Sequence, residues 1–146
     1  MPFEVRTDVE YAKPLPAPDA TSAPFWRAAA QGELRLQRCP AFGHRQNYPR
    51  PLCTAFCVMF VWWTTSGRGA IYTFTVIRQY GAKPFRDELP YVVAMIELEG
   101  GVRLMANVTD CAPEDVHIDM AVEAWAVRAS DDVGIPYFRP AHAGAR

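Results

Sequence analysis

The sequence predicts a mainly β protein. A short helix and a turn-rich, cysteine-bearing segment come first, and a small closed barrel of five strands follows. Three observations carry this reading. Of the 13 prolines, eight fall before Leu52 and none lies between Leu52 and Lys83. Proline fixes φ and removes a backbone donor, so the front of the chain reads as extended and turning and the rest as regular structure. From Ala70 onward, apolar and polar residues alternate in short runs broken by turn residues, the period-2 pattern of half-buried strands. Three of the four cysteines, Cys39, Cys53 and Cys57, crowd the turn-rich segment.

The elements follow in order. Residues 1–20 form an extended arm, polyproline-like at Pro14–Pro18 and read as lying on the surface. Residues 21–32 hold a helix from Ser22 to Gln31, with Ser22 as cap, Pro24 in the first turn and Gly32 after the last. Phe25, Ala28 and Ala29 share its inner face. Residues 33–66 contain two strands, Glu33–Arg38 and Phe60–Thr65, around a loop rich in proline and glycine. Residues 67–140 supply the barrel strands Ala70–Gln79, Tyr91–Leu98, Val102–Val108, Met120–Arg128 and Ile135–Phe138. Gly100-Gly101 marks a hairpin, and Ala112–Val116 a single helical turn. A long first strand, a hairpin and a crossover turn before the fourth strand fit the oligonucleotide/oligosaccharide-binding (OB) order. Residues 141–146 form a tail.

Composition excludes several functions. Net charge is −1 over 146 residues, with 50% hydrophobic residues. That argues against a dedicated nucleic-acid module, which needs a basic surplus to neutralise phosphates. No stretch reaches the roughly 18 apolar residues of a membrane span. The N-terminus lacks the apolar segment of a secretory signal. The expectation is a cytoplasmic protein without a membrane, whose cysteines serve metal binding or packing rather than disulfides.

The cysteines stand where a zinc ribbon would place its two knuckles, each normally Cys-x-x-Cys. Cys39 and Cys53 open the knuckles, but the second positions hold Phe42 and Phe56. Cys57 comes one residue late, and His44 lies five after Cys39. Two outcomes compete. Cys39, His44, Cys53 and Cys57 bind zinc, or the metal is lost and Phe42 and Phe56 pack where it would sit. The second is preferred, since one large apolar residue replaces both ligands, and it leaves the chain without a cofactor. Cys111 reads as barrel packing.

The order of these motifs resembles a known family. It runs Ser22-x-Pro24-Phe25-Trp26, Gly32-Glu33-Leu34-x-Leu36-Gln37-x-Cys39 and Pro49-Arg50-x-x-Cys53. Then come Trp63-x-x-Ser66-Gly67-Arg68-Gly69, Pro90-Tyr91-Val92-Val93-Ala94 and Phe138-Arg139-Pro140. From about Ala17 to Ala141 the chain is similar to zinc-ribbon/OB-fold proteins long known as a domain of unknown function. The resemblance implies a rubredoxin-like ribbon, with ligands partly lost here, before the OB barrel. It also implies an accessory subunit without chemistry of its own, bound to a thiolase-like, lipid-transfer-protein-like aldolase or ketoacyl-synthase-like partner and helping to hold acyl-CoA. A homodimer is a further assembly, and a single-stranded nucleic-acid binder is the alternative function.

The residues give little support for catalysis. No Gly-x-Ser-x-Gly elbow is present, and His117 between Asp115 and Asp119 reads as a solvated turn. Binding candidates are clearer. Arg68, Lys83, Arg86, Arg103 and Arg139 suit the phosphates of CoA, which guanidinium groups grip bidentately. Phe85 in the Tyr80–Leu89 loop suits an adenine handle. Trp62 and Trp63 point to opposite faces of one strand, so one of them is a candidate for a partner surface.

Overall fold

The computed structural model describes residues 2–55 and 59–142. The expectations for Phe56, Cys57 and the end of the tail fall outside these residues. The long apolar alternation after Ala70 folds as read, into a closed five-stranded barrel. Its strands are β5 (Arg68–Ile77), β6 (Tyr91–Leu98), β7 (Arg103–Val108), β8 (Ala121–Ser130) and β9 (Val133–Pro140). Neighbours run β5-β6-β7-β9, and pairing of β8 with both β9 and β5 closes the ring. Within the ring, only β7 and β9 pair in parallel, at Val108 and Phe138. This is the OB order. Inward residues of β6 (Val92, Ala94, Ile96, Leu98) meet Leu104 and Val108 of β7 and Val122 and Ala124 of β8 in one core with Phe138. The crossover before β8 is a short 3₁₀ turn, Pro113–Asp115.

Helix α1 (Ala23–Ala30) closes one side of the barrel and buries Phe25, Ala28, Ala29 and Ala30. Ser22 does not cap it with its side chain. Its Oγ instead accepts from Asp19 N while its own N–H donates to Asp19 Oδ1, a reciprocal pair one turn earlier. At the other end, Arg128 Nε and Nη2 both donate to Ala30 O, at 3.2 and 2.9 Å. That satisfies a carbonyl the helix itself leaves unpaired.

The arm does not lie loosely on the surface. Val5–Arg6 forms β1, parallel to β8 at Ala126 and Val127. Arg139 binds Glu4 at 2.5 Å and Glu123 at 3.1 Å, while Arg6 binds Glu4 at 2.8 Å and Asp110 at 2.9 Å. The Arg6 guanidinium also lies 3.9 Å over the Trp125 ring. The arm therefore covers the outer face of β8, where Trp125, Val127 and Tyr137 form a second small core. This is why β8 is buried on both faces although its sequence alternates.

Between helix and barrel, β2 (Arg35–Arg38) pairs with β3 (Arg45–Gln46) on one side and β4 (Val61–Thr64) on the other. The segment is thus a small three-stranded antiparallel sheet, called the ribbon segment below. Phe42 is 63% exposed. Two buried glutamines tie the loops instead. Gln46 Nε2 donates to Gln37 Oε1 at 2.6 Å, and Gln37 bonds both N and O of Arg50 at 2.9 Å. Gln46 also reaches Leu52 O and Thr54 N. The Phe42 loop, closed by Gly43 N to Cys39 O, sits at the tip of the β2–β3 hairpin, and the Phe56 half of the expected plug lies outside the described residues. Among the described residues, no helix is long and apolar enough to cross a membrane.

Candidate functional site

Strands β6 and β7 turn Tyr91, Val93, Met105 and Asn107 away from the core. Three adjoining cavities of about 330, 240 and 500 Å³ run across this outer face, and Asn107 lines all three. Their sizes reach into the range of small-molecule sites, and the outer face of these two strands is where OB barrels commonly bind ligands. One end lies beneath the arm, against Tyr11, Trp125 and Tyr137. The middle lies beside Phe85 and Glu88 of the 3₁₀ turn Phe85–Glu88. The far end is walled by Phe25 and Trp26 of α1, Tyr48 and Pro49 of the ribbon, and Pro16 of the arm. Every part of the chain contributes a wall, which follows from the arm and helix wrapping the barrel.

The groove is mostly aromatic and aliphatic, with few polar groups. Asn107 Nδ2 donates to Val92 O at 3.1 Å, which fixes the amide and leaves its oxygen to accept from a ligand N–H. Lys13, 9% exposed, binds Glu88 at 2.6 Å and Tyr137 Oη at 3.4 Å. The rings of Phe85 and Tyr137 flank its ammonium at 5.6 and 5.7 Å. Burial alone would lower the Lys13 pKa, but the Glu88 hydrogen bond and the neighbouring negative groups outweigh it and the net shift is upward. Lys13 stays a cation that ties the arm to the groove wall. Burial, then Asp115 and Asp110, raises the pKa of Cys111, so this thiol is held protonated and suits packing, not nucleophilic attack.

The sequence candidates separate. Phe85 lines the groove, and Lys83 and Arg86 are exposed on the same loop. The other three arginines lie elsewhere. Arg139 is locked into the network that holds β1. Arg103 pairs with Glu97 at 2.7 Å and stacks 3.6 Å over Tyr72, at the hairpin end of β7. Arg68 is exposed at the junction of ribbon and barrel, beside Phe3 and Ser66. Trp62 and Trp63 are both half-buried and pack against the main core. Arg45 stacks 4.4 Å over Trp63 and donates to Gly100 O, linking ribbon to barrel. Sequence reasoning missed Lys13, Tyr11, Glu88 and Trp26 as groove residues. The available signal was an aromatic and a lysine inside an otherwise bland proline-rich arm, and Asn107 at an outward position among apolar neighbours.

Cys57 of the expected zinc ligand set lies outside the described residues. Cys39 and Cys53 are buried, but His44 Nε2 lies 3.1 Å from Thr54 Oγ1. No group of three or more His, Cys, Asp or Glu comes together among the described residues.

Residues 62–127 match the family described as the C-terminal OB-fold domain of ChsH2. Among solved structures, the chain is similar to one chain of an Ltp2–ChsH2(DUF35) aldolase. TM-score is 0.78 and identity 32%, over 88% of this chain and 100% of that one. The chain belongs to the DUF35 family. Two further relatives are similar in sequence. A DUF35 domain-containing scaffold protein of Methanocaldococcus jannaschii is 46% identical over 67 residues, 46% of this chain and 47% of that protein. A probable enoyl-CoA hydratase alpha subunit of Thermomonospora curvata is 36% identical over 131 residues, 88% of this chain. The chain spans 40% of that subunit's length, so it corresponds to a part of the larger protein.

Proposed function

We propose that this DUF35 chain is a non-catalytic, cytoplasmic accessory subunit that binds a thiolase-like partner and helps hold its acyl-CoA. The observation that carries the reading is the likeness to one chain of an Ltp2–ChsH2(DUF35) aldolase over that chain's whole length. The chemistry of the groove supports it. Its apolar walls suit a thioester chain, and the Asn107 oxygen suits an amide N–H of the pantetheine arm. Lys83 and Arg86 stand on the loop beside it to meet phosphate. Arg103 and Arg139 each pair with carboxylates, so the reading leans on Lys83 and Arg86 first.

Coexpression with an Ltp2-type aldolase tests the reading. The expected result is a stoichiometric complex that survives a sizing column. Separation of the two proteins would count against it, as would a salt-sensitive complex with single-stranded oligonucleotides in place of the protein complex.

A further inference from the structure

Large apolar side chains open to solvent are concentrated in the ribbon. Of the eleven among the described residues, five lie there: Phe42, Tyr48, Leu52, Met59 and Val61, with Met59 71% exposed. Single exposed apolar residues are ordinary, but a cluster marks an interaction surface. The same segment has a second distinctive property. From Leu34 to Ser66 there are four arginines and no aspartate or glutamate, in a chain whose net charge is −1. Glu33 neutralises Arg35 at 2.7 Å. Arg38 and Arg45 stand directly opposite each other across β2 and β3, a like-charge pairing that is unfavourable in isolation. Val61, the partner of Arg38 on the other side, puts exposed apolar surface next to these charges.

We propose that this ribbon face is the docking surface for the partner, and that the partner presents an apolar patch edged with carboxylates. The inference rests on the accessory-subunit reading and adds which surface makes the contact. Charge complementarity selects the occupant: an acidic edge supplies the carboxylates this segment lacks and pairs the exposed Arg50. The apolar residues exceed the uncompensated charges, which fits protein better than nucleic acid, whose affinity comes mainly from phosphate neutralisation. Tyr48 also walls the far end of the groove, so a partner docked on this face borders the ligand site.

The test is calorimetric titration of the full chain with an Ltp2-type aldolase at low and high salt. Leu52→Glu with Val61→Glu is expected to weaken binding by at least about 30-fold, the loss expected of an interface centre. Arg50→Glu, which changes surface charge alone, is expected to weaken it and flatten the salt dependence. Ile118→Glu, at an exposed apolar position on the barrel, is expected to leave binding within about threefold. If the unchanged chain binds and the ribbon variants bind equally well, this inference fails and the accessory reading stands. If the unchanged chain does not bind, both fail. An oligonucleotide complex abolished by the ribbon variants would overturn the inference in favour of nucleic acid.

Discussion

Gly134 is where α1 comes closest to the barrel, and a single methyl there tests whether the helix is rigidly seated. A Cβ at Gly134 would lie 2.6 Å from Ala29 O and closer still to Ala29 C and Ala30 N. These are backbone atoms, so no side-chain rotation relieves the clash. Ordinary contact begins near 3.4 Å, so the end of the helix must retreat by about 1 Å. Forcing an extra methyl into packed structure costs about 1–3 kcal/mol. The retreat also stretches both Arg128 bonds to Ala30 O, adding about 1 kcal/mol for weakened charge-assisted bonds. Gly134→Ala is therefore expected to cost about 3 kcal/mol and to lower Tm by about 6–12 °C for a chain of this size. Gly81→Ala is the control, because a Cβ there meets nothing within 4 Å. Differential scanning calorimetry on both variants gives the answer. A Gly134→Ala chain melting within about 2 °C of the parent would refute the reasoning, since the close approach would then be soft. Phe25 and Trp26 wall the groove from this helix, so ligand affinity is expected to fall with Tm.

Acid should release the arm. Hydrogen bonds from Arg6 and Arg139 hold the Glu4 pKa below its ordinary 4.5; burial pushes Glu123 up, but His142 and Arg139 bring its net shift below the same value. With folded pKa values depressed, their stabilisation is complete above about pH 4.5 and is lost as pH falls below it. Hydrogen exchange at residues 3–7 should accelerate there, and Glu4→Gln should weaken that pH dependence. Gln37→Leu strands Gln46 and both backbone groups of Arg50, and is expected to cost about 3 kcal/mol. Limited proteolysis should then cut the ribbon loops first. Lys13→Met removes the Glu88 pair and the aromatic contacts, and is expected to cost about 1–2 kcal/mol and to raise hydrogen exchange across residues 9–13. Lys83→Ala with Arg86→Ala should weaken binding of an acyl-CoA thioester by about tenfold while leaving Tm unchanged, measured by calorimetry.

The barrel was legible because a closed small sheet buries one face of every strand. Val92, Ala94, Ile96 and Leu98 could only alternate that way if the other face met solvent or a cover. The hairpin at Gly100-Gly101 and the short turn at Pro113 then set the order. The groove was less legible because its walls are assembled from distant segments. Nothing local in Tyr11 or Lys13 says that the arm lies over Tyr137, and proline-rich chain reads as exposed until its partners are known. Trp125 and Val127 belong to a core created by that cover, on the face that strand alternation leaves to solvent. The ribbon shows the same limit. Gln37 alternates with the apolar Leu34 and Leu36, yet it is fully buried because its amide satisfies a loop 13 residues away. Volume marked Phe42 as a packing residue, yet at the hairpin tip it is 63% exposed.

The most direct measurement of the central claim is partner turnover of an acyl-CoA substrate with and without this chain. An Ltp2-type aldolase, assayed at fixed concentration while the chain is titrated in, should gain activity up to a stoichiometric end point. Asn107→Leu, which removes the free acceptor of the groove, should still assemble but raise KM for the thioester. Turnover that is unchanged across the titration, with the chain present in excess, would contradict the account.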